Sequence, residues 1–161
     1  MPEIKNVPQT DTPADSARAI SPEDETFLRE ALAEAERAAR MDEVPVGAVI
    51  VRNGQMIARA ANTREGSKCA THHAEILVIE EACRTLGGWR LPGTTLYVTL
   101  EPCPMCAGAI ANARVERVVF GAYDPKAGAY GSVFDLNALP LNHHPAVVGG
   151  CLEPECRSVL T

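Results

Sequence analysis

No stretch of this sequence approaches the roughly 18 to 20 consecutive apolar residues of a membrane-spanning helix, so no membrane partner is expected. Residues 1–20 lack the apolar run of a secretory signal, and Asp11 and Asp15 argue against a transit peptide. The location expected is therefore cytoplasmic, with reduced thiols. A basic excess is also missing. The net charge is −6, and residues 1–43 carry all of it, with 11 acidic and 5 basic side chains against 10 of each in residues 44–161. A neutral body neither demands nor excludes a nucleic-acid partner. There is no internal repeat and no low-complexity tract. Tryptophan occurs once, as Trp89, and is expected to pack below the Gly87-Gly88 turn.

What is present is ordinary for a globular core: 46% hydrophobic and 22% charged residues in 161, a length that fits one domain. Residues 1–20 mix Pro, Thr, Asp and Ala without period and read as a flexible tail, leaving 21–161 as the domain. Ser21-Pro22-Glu23-Asp24 supplies an N-cap, a first-turn proline and acids for a helix reaching about Met41, with Leu28, Ala31, Ala35 and Ala38 at helical spacing. Val46 to Val51 and Met56 to Ala60 are two antiparallel strands about an Asn53-Gly54 turn. Thr71 is expected to cap a helix from about His72 to Thr85, which Gly87-Gly88 ends. Thr94 to Leu100 and Val115 to Gly121 read as strands around a helix from Pro104 to Ala113. A Gly-rich loop covers Asp124 to Ser132, a short irregular or helical piece runs to Leu139, Ala146 to Val148 is a late strand, and 153–160 is a helical stub. Strand–helix–strand crossovers imply a mixed sheet with helices on both faces.

Two patches carry chemistry: His73-Ala74-Glu75 and Pro102-Cys103-Pro104-Met105-Cys106. Cysteines three apart at a helix start share a face, and the positive end of the helix favours their thiolates. One imidazole and two thiolates are three ligands for Zn2+, leaving one tetrahedral position for water, which is the arrangement of a catalytic site. Zinc there lowers the pKa of water towards about 7. Hydrolysis of an exocyclic amine then needs a proton carrier, and Glu75 beside the metal is suited to take the water's proton and deliver protons to the ring nitrogen and the departing ammonia. The H-x-E and P-C-x-x-C pair is the pattern of zinc deaminases acting on bases, with the glutamate not a ligand. His73 and Glu75, two apart, cannot share a face of a regular helix, so the pair must stand in an irregular first turn with the metal beyond the helix end.

Other readings compete. Cys-Pro-Met-Cys also resembles a redox dithiol, but that use leaves His73 and Glu75 idle. A structural zinc site completed by Cys151 and Cys156 leaves Glu75 idle as well. Cys69, Cys83, Cys151 and Cys156 are most simply small packed residues or plain thiols. His72 could replace His73 by a one-residue slip, although the H-x-E register selects His73.

With these residues in view, the chain resembles the bacterial tRNA-specific adenosine deaminases of the TadA type, within the cytidine deaminase-like superfamily. The likeness spans about residues 22–160 and is densest in Glu43 to Ala48, in the segment LYVTLEPCPMCAGAI from Leu96, and in RVVFGAYDPKAGAYGS from Arg117. It implies a three-layer α/β/α sandwich on a five-stranded mixed sheet, one zinc per subunit, and a homodimer whose two subunits both contact a tRNA anticodon loop. The activity implied is hydrolysis of adenosine to inosine at the wobble position. By position, Asn62 resembles the pocket asparagine that bonds the base, the backbone of Ala74 lies beside the base, and Val46 resembles a pocket wall. Asp124, Lys126 and Gly128 resemble the loop gripping the neighbouring nucleotides, and Asn142 and His143 resemble the family's Asn-His pair. The chain departs from the family in reading Cys69-Ala70-Thr71-His72 before His73, and in ending at Thr161 where members continue into a helix bearing paired phenylalanines and arginines. A deaminase of free nucleosides or bases (cytidine, adenosine or guanine type) would suit the neutral surface, and a non-enzymic zinc-stabilised binding module is the third reading.

Overall fold

The computed structural model describes residues 18–161. The tail expected over 1–20 lies outside them except for residues 18–20. Helix α1 (Pro22–Arg40) begins as its sequence predicts: the Ser21 side chain accepts the Asp24 N–H, and the Asp24 carboxylate accepts the Ser21 N–H. Strands β1 (Gly47–Arg52) and β2 (Gln55–Ala61) follow, turned by Asn53 and Gly54 at φ 53° and 73°, the left-handed pair that a tight hairpin requires. Then come α2 (Ala74–Leu86), β3 (Thr94–Leu100), α3 (Pro104–Asn112), β4 (Arg117–Ala122), a single 3-10 turn (Leu136–Ala138), β5 (Ala146–Val148) and α4 (Glu153–Val159).

Two boundaries differ from the sequence reading by two residues, the others by one at most. Helix α2 starts at Ala74 with His73 as N-cap and no side-chain cap bond, so Thr71 does not cap it; the Thr71 hydroxyl instead meets Cys69 Sγ at 3.3 Å. Strand β4 starts at Arg117, because the Val115 N–H bonds back to Ile110 O at the end of α3, spending that residue on the turn.

The five strands lie in the order β2-β1-β3-β4-β5, with β1 antiparallel to both neighbours and β3, β4 and β5 mutually parallel. Alternation along the strands builds two cores. Ile50, Leu96, Val98, Val118 and Phe120 face α2 and α3, meeting Val78, Ile79 and Ile110. Val49, Tyr97 and Val119 face the other way, meeting Leu28 and Ala31 of α1 and Cys156 of α4. The result is the expected sandwich. Helix α1 presses so closely on β1 that a Cβ on Gly47 would overlap the Ala31 carbonyl. Among the described residues no helix is long and apolar enough to cross a membrane.

Because α2 and α3 run antiparallel to the central strand β3, both present their N-termini at its carboxyl end. That is where ligands bind in open α/β sheets.

Candidate active site

His73 and Cys103 are the N-caps of α2 and α3, each with extended backbone (ψ 152° and 173°), and Cys106 lies in the first turn of α3. The helix starts meet head to head. His73 Nδ1 stands 3.7 Å from Cys103 Sγ and 3.5 Å from Cys106 Sγ. Tetrahedral zinc with Zn–N near 2.05 Å and Zn–S near 2.3 Å separates nitrogen from sulfur by about 3.6 Å, so the three donors are spaced for that ion. Among the described residues they form the one group of three or more His, Cys, Asp or Glu able to hold a metal. Cys151 and Cys156 are buried on the α1 face of the sheet, away from this group. His72 turns to the preceding loop, with Nδ1 at 2.7 Å from Ser67 Oγ.

The electrostatics suit thiolate binding. A hydrogen bond from Cys106 holds the Cys103 thiol down to about 4 against the opposing pull of burial, with His73 helping. The same sulfur pair pushes Cys106 up, and the bond to Cys103 raises His73. Two helix N-termini add positive partial charge at the same place. Glu75, two positions past the α2 N-cap, is 4% exposed, and burial pushes its carboxyl up to about 7. The irregular first turn demanded by the His-x-Glu spacing is therefore the helix cap itself.

Glu75, His73 and Cys103 line a cavity of about 160 Å³ that Val46, Asn62 and Ala74 also wall. The Asn62 amide is oriented from both ends, donating to Val44 O at 3.2 Å and accepting the Arg64 N–H at 3.0 Å. One amide proton and one oxygen lone pair remain for a ligand. Asp124 borders the same cavity, and its carboxylate accepts the N–H groups of Lys126 and Ala127. Lys126 is exposed on that loop, and Gly128 is buried against Glu101. Asn142 and His143 are elsewhere: they border a separate groove of about 660 Å³ with Met105 and Arg114, and His143 Nε2 meets Val115 O at 2.6 Å.

Three residues at the site went unread in the sequence. Arg64 and Glu101 line the cavity, and the Glu43 carboxylate, next to the lining residue Val44, accepts the N–H groups of Glu65 and Gly66, which follow Arg64, at 3.0 and 2.6 Å. An acid ending the apolar strand just before Cys103 was a legible hint for Glu101, whereas nothing local marks Arg64 or Glu43. Trp89, expected to be packed, is 56% exposed and carries the Arg90 guanidinium 4.2 Å from its ring centroid.

Comparison with known proteins agrees with this geometry. Residues 21–122 match the family model of the cytidine and deoxycytidylate deaminase zinc-binding region. The chain is 55% identical over 140 residues to a tRNA-specific adenosine deaminase of Bacillus subtilis, covering 86% of this chain and 87% of that one. A solved structure from a study of A-to-I editing by tRNA:A34 deaminases at the wobble position superposes with a TM-score of 0.79 at 47% identity, covering 84% of this chain and 99% of that one. A guanine deaminase from Bacillus subtilis follows at a TM-score of 0.59 and 32% identity, over 73% of this chain and 86% of that one. With residues 21–122 matching the family model, 55% identity over most of its length and a close structural superposition, the chain belongs to the tRNA-specific adenosine deaminases of the zinc-binding cytidine and deoxycytidylate deaminase family.

Proposed function

We propose that this chain hydrolyses adenosine to inosine at the wobble position of a tRNA anticodon, with release of ammonia. The observation that carries the reading is a buried carboxylate, Glu75, in the same small cavity as two of the three zinc donors, in a chain 55% identical to a tRNA-specific adenosine deaminase. Zinc held by His73, Cys103 and Cys106 supplies Lewis acidity that makes water a nucleophile near neutral pH.

The remaining work falls to the chain. Glu75, raised towards neutrality by burial, accepts a proton from water as its oxygen attacks C6, passes it to N1, and then moves a proton to the departing amine. One water enters and one ammonia leaves, so Glu75 ends as it began. Asn62 bonds the base edge through its spare donor and acceptor, Val46 packs on the ring, and the Ala74 backbone lies alongside. Asp124, Lys126 and Gly128 belong to the loop that grips the flanking nucleotides. A single-stranded anticodon loop suits the cavity because its base can be turned out at little unstacking cost.

A homodimer working in the cytoplasm fits this substrate. Asn142 and His143 border a groove apart from the cavity lined by Glu75, and their part in this proposal is to contact RNA there. Residues 21–161 form the deaminase unit of this proposal.

The deciding experiment is mass spectrometry of an anticodon stem-loop incubated with the zinc-loaded protein, run beside free adenosine, cytidine and guanine. Inosine at the wobble position alone is the expected result. Ammonia from guanine with unaltered RNA would transfer the chain to the free-base deaminases.

A further inference from the structure

Glu101 follows the last residue of β3 and stands two positions before Cys103, yet it is 2% exposed. A carboxylate that far from water needs donors to offset its desolvation. It finds them in one loop. Oε1 accepts the Asp124 N–H at 3.0 Å and the Ser132 hydroxyl. Oε2 accepts the Tyr130 N–H at 3.0 Å and the Ser132 N–H at 3.2 Å. The neighbouring carbonyl, Pro102 O, accepts the Ala129 N–H at 2.9 Å. Gly128 crosses so close to the carboxyl group that a Cβ there would overlap both its oxygens, which is why the loop needs glycine at this point.

The loop over 124–132 has little regular structure of its own, so this side chain supplies acceptors that a strand or helix would otherwise provide. Asp124 and Ala127 of the loop wall the catalytic cavity, and Glu101 borders it too. One short segment, 101–103, thus carries the anchor of the loop at one end and a zinc donor at the other.

We propose that Glu101 is a positioning residue: its carboxylate sets the shape of the 124–132 loop and registers that loop on the metal site, so that the nucleotides beside the target base are held in place. The identity of the gripped ligand rests on the RNA deaminase reading; the control of loop shape does not. The anion matters because four donors face two oxygens. Glutamine, of equal size, keeps one acceptor oxygen and turns an NH2 donor against N–H groups, so the loop loses one set of bonds and gains a repulsion.

The test compares wild type, E101Q, S132A and the double variant as zinc-loaded full chains. In E101Q, hydrogen exchange at the Asp124 and Tyr130 amides is expected to quicken at least about tenfold with zinc content unchanged. KM for the anticodon stem-loop should rise at least about tenfold while kcat falls less than about threefold, because the loop binds and does not react. S132A should move the same quantities less, and the double variant should be no worse than E101Q alone, since both act through shared bonds. Unchanged exchange and KM in E101Q would overturn the proposal. So would zinc loss, or a fall in kcat at constant KM, either of which assigns Glu101 to the metal. If E101Q fails to fold, S132A still decides between these outcomes. Wild-type protein that leaves RNA unedited sinks the substrate assignment and leaves the exchange and zinc measurements to judge Glu101.

Discussion

Asp24 and Glu75 are both buried acids at helix starts, 2% and 4% exposed, and their surroundings are opposite. Burial alone would raise both. At Asp24 it is outweighed by the Arg117 guanidinium at 2.7 and 2.8 Å, by the Ser21 N–H and by the Tyr97 hydroxyl, which together hold the carboxyl down to about 2. At Glu75 burial prevails over its own backbone N–H and the Cys106 thiol, and the carboxyl goes up to about 7. A carboxylate satisfied by fixed donors is a fastener, since it gains nothing by exchanging its proton. One left near neutrality in a cavity can take and give a proton. The same side-chain chemistry serves structure at one end of the sheet and, in the proposed function, reactivity at the other, and the neighbours decide which.

The comparison can be broken most severely at the metal. Stripping zinc with a chelator, or replacing Cys103 by Ala, should abolish measurable turnover and lower Tm, because the ion ties the starts of α2 and α3 together; calorimetry with metal analysis reads both effects, and a fully active, equally stable zinc-free protein would refute the site. Next in size, Glu75→Gln should cut kcat by about 10² to 10⁴-fold while zinc stays bound and Tm holds or rises, as a buried proton carrier is replaced by a neutral isostere. Single-turnover kinetics beside zinc content checks this.

Asp24→Asn should do the converse. Breaking the buried pair with Arg117 is expected to cost about 3 kcal/mol, seen as a lower denaturant midpoint at constant m, with kcat unchanged. The pH dependence sharpens the point. The Asp24 pKa is depressed on folding, so its contribution is full above the unfolded value of about 3.9 and is lost as pH falls towards 2; wild type should lose about 2 kcal/mol more than Asp24→Asn over that window. Parallel stability curves for the two proteins would contradict the assignment. Smallest of all, Trp89→Ala should change stability by no more than about 0.5 kcal/mol, because the ring is mostly exposed.

Much of this was legible in the order of residues. The Ser21-Pro22-Asp24 cap, the Asn53-Gly54 turn and the β3 boundaries are local, and local rules found them. The zinc donors were legible because a metal restricts both residue type and spacing. The α2 start was misplaced at His72, with Thr71 as its cap, because a threonine before an apolar run ordinarily caps a helix, while here His73 takes the N-cap position. Trp89 was misread because a lone tryptophan is usually packed, and only the course of the chain after Gly88 leaves it outside. Glu43 was invisible for another reason, and Glu101 was only hinted at by its place at the end of an apolar strand: the backbone N–H groups they bond lie over twenty residues away, which leaves no signature in composition or period.

By itself the sequence determined which atoms could bind zinc, which carboxylate could move a proton, and where helices and strands would form, since these follow from side-chain chemistry and short-range periodicity. Tertiary structure decided the rest. It brought two helix ends together at the edge of a parallel pair of strands, removed Glu75 from water while leaving Asp24 fully bonded, sent Asn142 and His143 to a different groove, and used a distant acid to shape the loop beside the cavity. Proton affinity and loop shape depend on desolvation and on long-range hydrogen bonds, and neither exists until the chain has packed.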